Sequence, residues 1–137
     1  MKQLQVVHPD YVHRIWEDVK PLIEASCASS TTGDTSAEHI KVEVLNGVQT
    51  MFVIVDEENK VNGVATVELI NYPNQRVAQI TSLGGRDIVG TETFGQFEVW
   101  AKAQGASKIR AWAKEPQARL YKKVGLETAM LVVEKNL

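Results

Sequence analysis

The chain has one cysteine, Cys27, in 137 residues, so an intrachain disulfide is excluded and packing alone must hold the fold. No apolar run approaches the roughly 20 residues that span a bilayer, and Met1 to His8 lacks the cationic and apolar regions of a secretory signal. A soluble, cytoplasmic protein without a membrane partner is expected. Surplus positive charge is missing too: 15 Lys plus Arg stand against 17 Asp plus Glu, with a formal net charge of -2. Phosphate neutralisation needs the opposite balance, so nucleic acid is not an expected partner. The three histidines do not cluster, since His8 and His13 flank a proline turn and His39 lies elsewhere, so no metal is expected. Repeats and heptad seams are lacking. What is present is 44% hydrophobic residues, enough for one core, and a single domain over residues 1–137 is expected.

The apolar periodicity gives an element order. Leu4 to Val7 reads as a strand, ended by His8-Pro9-Asp10, and Val12, Ile15, Trp16, Val19, Leu22 and Ile23 mark a helix that Pro21 should kink or split. Ser26 to Ser36 is almost all small and polar, which predicts a mobile loop at the rim of whatever site operates. Thr35 with Glu38 resembles a capping box before a short helix, carrying Ala37, Ile40, Val44 and Leu45, that stops at Gly47. Met51 to Val55, Gly63 to Ile70 and Val77 to Leu83 are the strands of an antiparallel meander, with turns at Asp56 to Asn59 and Asn71 to Gln75. A second capping box, Thr93 with Gln96, opens a helix with Phe94, Phe97, Trp100 and Ala101 on its buried face. Lys108 to Ala113 returns as a parallel strand through a right-handed crossover, Pro116 opens a helix to Val124, and Ala129 to Val133 is the closing strand. The class is α/β (α+β): a mixed sheet with an antiparallel N-terminal meander, a parallel central crossover and helices on both faces.

The C-terminal third then carries a resemblance. Arg119-Leu120-Tyr121-Lys122-Lys123-Val124-Gly125-Leu126 resembles the late motif of the GNAT acyltransferase superfamily, with Leu126 in place of the usual aromatic. Phe97 to Trp112 resembles that superfamily's central helix and fifth strand. Asn71-Tyr72-Pro73 together with this segment is similar to small GNAT-like proteins of tailed bacteriophages. The resemblance implies acetyl-CoA as cosubstrate, lying between the Val77 to Leu83 and Lys108 to Ala113 strands, with an amine as acceptor. It also implies a pyrophosphate turn over Leu83, Gly84, Gly85, Arg86, Val89, Gly90 and Thr91. Arg86 fills the turn's first position, but Val89 and Thr91 stand where the superfamily has small residues, with Gly90 between them. The turn is therefore degraded or shifted by one residue. The same glycines also read as an ordinary strand-to-helix turn.

Two residues carry the candidate catalysis. By resemblance Tyr121 protonates the departing CoA thiolate, and read from the residues alone it is equally a core tyrosine. Glu68 alternates with Val67 and Leu69, so it leaves the opposite face of its strand beside Thr66 and Ile70, where a carboxylate can take a proton from the attacking amine. It also reads as a solvated strand residue. Cys27 reads as an inert or surface thiol, and Trp16, Trp100 and Trp112 as core. Lys102, Lys108, Arg110, Lys114, Arg119, Lys122 and Lys123 make the C-terminal third basic, suited to phosphate, to an acidic partner, or to plain solvation. Two functions follow: N-acyl transfer, or a catalytically silent phage protein working through contacts with virion or assembly proteins.

Overall fold

The computed structural model describes residues 3–30, 33–85 and 90–137. Five strands form one sheet in the order β1-β2-β3-β4-β5: β1 (Gln3–Val7), β2 (Gln49–Val55), β3 (Val61–Asn71), β4 (Arg76–Gly85) and β5 (Lys108–Ala111). The first four pair antiparallel, and β4 pairs β5 in parallel. The β2–β3 turn has a local cause. Asp56 Oδ1 accepts from the backbone N–H groups of Glu58 at 2.8 Å and Lys60 at 3.0 Å, while Asn59 takes the left-handed backbone with φ 62°.

Helices cover both faces. On one lie α1 (Val12–Ser30) and α2 (Ala37–Leu45), whose Val12, Trp16, Val19, Ile23, Ile40 and Val44 pack on Met51, Val53 and Val64 of the sheet. On the other lie α3 (Thr91–Ala103) and α4 (Glu115–Lys122), where Phe94, Phe97, Ala101 and Tyr121 meet Phe52, Ala65, Val67, Ala78 and Ile80. Alternation along β2 explains the split: Met51 and Val53 face the first layer, Phe52 the second. The Phe52 ring makes edge-on contacts with Phe97 at 5.7 Å and Trp100 at 4.8 Å.

Several sequence expectations are corrected. The first helix does not end near Ser26, because Ser26 and Cys27 continue its stripe onto the sheet and are buried, so helix runs to Ser30. Of the expected loop, Thr31 and Thr32 lie outside the described residues. Pro21 does not split α1, whose exposed face it occupies. The α2 cap is Ser36, with His39 N donating to its Oγ at 3.3 Å, and α3 starts two residues before Thr93, after Gly90. Cys27 is neither loop nor surface: it is buried, and desolvation pushes its thiol pKa up. Trp16 is core, Trp100 is half-buried, and Trp112 just past β5 is 51% exposed. Ala129 to Val133 forms no strand, because no sheet edge lies against it; Leu131 is 84% and Val133 91% exposed.

Candidate functional site

β4 is ten residues long and β5 only four, and their pairing covers Val77 to Ile80 against Lys108 to Ala111. Beyond Ile80, β4 continues to Gly85 without pairing to β5. The departure coincides with a bulge. Thr66 pairs Ser82 and Val67 pairs Ile80, leaving Thr81 as an extra residue in β4 that bends the strand.

Buried polar groups gather at this bulge. Thr66 Oγ1 lies 2.6 Å from Thr81 Oγ1 and 2.5 Å from Ser82 Oγ, and the Thr81 hydroxyl reaches Gln49 Oε1 at 2.5 Å. Gln49 Nε2 donates to Glu43 Oε1 at 2.7 Å, and Glu43 pairs with His39 at 3.4 Å on the surface of α2. Buried hydroxyls persist only when partnered, and each of these is. None of these residues figured among the sequence candidates. Their signal was polar residues at buried positions of otherwise apolar strands, visible once the register is known.

Glu68 lies one pair further along β3, opposite Gln49 on β2 and Gln79 on β4, and Gln79 in turn is opposite Arg110 on β5. These four side chains form a polar row across the sheet on the α1/α2 side. Gln79 is only 4% exposed and its Nε2 has no hydrogen-bond partner among the described residues. Arg110 sets its guanidinium over the Tyr72 ring, 5.5 Å from the centroid. Glu68 is thus half-buried amid hydrogen-bonding side chains.

Tyr121 belongs to the other face. It is buried in the layer of Phe94, Phe97 and Ile80, and burial pushes its phenol pKa well above the ordinary range. It therefore stays protonated at neutral pH. The sheet separates it from Glu68.

The turn residues divide. Leu83, Gly84 and Gly85 are the end of β4, paired with Ala65, Val64 and Gly63. Leu83 N–H donates to Ser26 Oγ on α1 at 2.9 Å. A Cβ at Gly84 would sit 2.6 Å from the Leu22 carbonyl oxygen, and Gly85 has φ 114°, so both glycines answer to packing and backbone. Gly90 precedes α3 with no side-chain cap, and Thr91 is its exposed first residue. Arg86 and Val89 lie outside the described residues. A cavity of about 300 Å³ opens between the end of α1 and the start of α2, lined by Glu24, Cys27, Thr35 and Ser36. Among the described residues no group of His, Cys, Asp or Glu is placed to hold a metal ion, and no helix is long and apolar enough to cross a membrane.

A split mixed sheet with a β4 bulge, two helices on one face and two on the other defines a GNAT-like fold. The comparisons agree. No protein-family model and no curated protein matches the sequence. Among solved structures, a tetramutant of the BH1408 protein from Bacillus halodurans superposes with a TM-score of 0.72 at 16% identity, covering 98% of this chain and 99% of that one. The aminoglycoside acetyltransferase meta-AAC0020 from an uncultured soil metagenomic sample, in complex with trehalose, gives 0.72 at 15% identity, with 99% and 95% covered. An acetyltransferase predicted in Clostridium acetobutylicum, solved with acetyl-CoA, gives 0.69 at 16% identity over 99% and 96%. The chain thus shares its fold with acetyltransferases.

Proposed function

We propose that the protein is an acetyl-CoA-dependent N-acyltransferase, with the β4–β5 gap as its thioester site. The observation that carries this is the parting of β4 from β5 immediately after Ile80, at the Thr81 bulge, in a chain whose structural neighbours include acetyltransferases. Acyl transfer to an amine needs two proton movements. The amine must lose a proton to attack the thioester carbonyl, and the sulfur must leave as thiol rather than thiolate. Glu68, on the α1/α2 side, takes the first proton directly or through a water. Tyr121, on the other side and held neutral by burial, supplies the second. The amine's lone pair forms the new C–N bond and the C–S bond breaks, so CoA leaves with a thiol hydrogen. Leu83, Gly84, Gly85, Arg86, Val89, Gly90 and Thr91 would lie along the pantetheine and pyrophosphate, where the start of α3 favours an anion.

Titration calorimetry with acetyl-CoA tests the binding half. Binding is expected, and no heat or thermal stabilisation at millimolar acetyl-CoA overturns the reading. In active protein, Tyr121→Phe lowers kcat about 10- to 100-fold while binding of CoA changes little, and Glu68→Gln removes the acid limb of the pH–rate profile. An unshifted profile removes Glu68 from the mechanism.

One observation favours a second reading. Ser26 already occupies the Leu83 N–H in the gap, as in a site that takes no cosubstrate. In that reading the protein is a phage product in the host cytoplasm or the virion, acting by contact with assembly proteins. The same calorimetry separates the two.

A further inference from the structure

We propose that the row of Glu68, Gln79 and Arg110 is the acceptor subsite and takes a free α-amino acid, with Glu68 at the ammonium group and Gln79 and Arg110 at the carboxylate. This substrate class rests on the acyltransferase reading and narrows the amine it uses.

Three unmatched groups on neighbouring strands carry it. Gln79 is 4% exposed and its Nε2 has no hydrogen-bond partner among the described residues, although a buried amide ordinarily has one. Strand register puts Glu68 directly opposite it on β3 and Arg110 directly opposite it on β5. Ile109 and Ala111 belong to the α3-side layer, so alternation turns Arg110 to the face that Glu68 and Gln79 share. Among the described residues Glu68 has no ion-pair partner, and Arg110 meets the Tyr72 ring rather than a carboxylate. An acid, an amide donor and a cation thus stand in line, none of them satisfying another.

Spacing selects the ligand. Neighbouring strands lie about 4.8 Å apart and side chains stand roughly perpendicular to the sheet, so Glu68 and Arg110 present opposite charges roughly 10 Å apart, with the Gln79 amide midway. In an α-amino acid the nitrogen and the carboxylate oxygens are about 3 Å apart, and a charge-assisted contact of about 2.8 Å at each end brings the span to roughly 9 Å. The carboxylate then takes the Arg110 fork and a Gln79 N–H together. A simple monoamine leaves the amide and the guanidinium unmatched, and a polyamine sets a second cation against Arg110.

The contact of Arg110 with the exposed Tyr72 ring is weaker than a bidentate carboxylate pair, so the guanidinium moves to the ligand. Gln79 lies one residue before Ile80, where the pairing of β4 with β5 stops, which sets an ammonium group at Glu68 beside the proposed thioester site. Transfer turns the amino acid and acetyl-CoA into an N-acetylamino acid and CoA, the amine's proton passing to Glu68 and the sulfur leaving as thiol.

Thermal shift and titration calorimetry with the twenty amino acids, run with and without CoA, test the site apart from turnover. At least one amino acid should raise the melting temperature and bind with a Kd at least about tenfold below those of its own α-amide and of the amine lacking the carboxyl group. Arg110→Gln and Gln79→Leu should each bring that preference to within about threefold. Gln79→Leu should also leave the melting temperature of the free protein unchanged or higher, because the amide has no partner to lose; a lower one marks a structural glutamine and removes it from the site. No binding by any amino acid in either condition overturns the proposal, as does equal affinity for acid, amide and amine, or a preference that survives both substitutions. Amino-acid binding without acetyl-CoA binding overturns the acyltransferase reading and keeps the site, whereas acetyl transfer confined to amines without a carboxylate overturns the site and keeps that reading.

Discussion

The two halves of the sheet are built differently. β2 and β3 are buried along most of their length, with helices on both faces and a strand on each side, whereas β5 has four residues, one partner strand among the described residues, and no fully buried side chain. The meander binds itself through many mutually supporting contacts, so its stability needs no ligand. The β5 side carries a basic surface and an exposed tail, and its pairing with β4 stops at Ile80 and Ala111. Dense packing and exposed structure are thus separated in space, and binding regions in general draw on the less stable end of a structure.

Phe52→Ala should break the meander hardest, by about 3–5 kcal/mol, since it empties the centre of the aromatic layer, while Trp112→Ala at the β5 end should cost under about 1 kcal/mol. Urea denaturation gives both values, and equal losses would erase the contrast. Next comes Gly84→Ala, expected to cost about 1–3 kcal/mol because the new methyl meets the Leu22 carbonyl. Gly95→Ala in α3, where a Cβ meets nothing within 4 Å, should instead stabilise by up to about 1 kcal/mol. Thermal melts of the pair would sharpen where α1 is clamped to β4. The smallest effect concerns pH. The folded state keeps the Tyr121 proton after the unfolded chain has released its own near pH 10, so stability is lost as pH rises above about 10. Tyr121→Phe should flatten that alkaline limb, and an unchanged limb would place the phenol in water.

Much of the element order was legible because it rests on local signals. The period-2 run of β3, the Asp56 turn and the helical stripe from Val12 to Ile23 each appear in a few consecutive residues. The errors fall where distant partners decide. Ser26 and Cys27 look like loop by composition, yet small side chains are what let α1 approach Leu83 and Gly84. Ala129 to Val133 has a strand's composition, but a strand requires a neighbour, and no local pattern supplies one. Of the site, the face of Glu68 could be read from alternation. The Thr66, Thr81 and Ser82 cluster could not, because it exists only through the β3–β4 register.

Thr81 also acts as a phase defect in an alternating polymer. Before it, Ala78 and Ile80 look toward α3; after it, Leu83 does, so even positions give way to odd ones across a single residue. A chain lacking that residue would send every remaining β4 side chain to its present face along an unbroken strand. Position-by-position alignment of this segment without a gap therefore exchanges inside for outside on one flank. That one residue sets both the kink that parts β4 from β5 and the point at which comparison by sequence slips out of step.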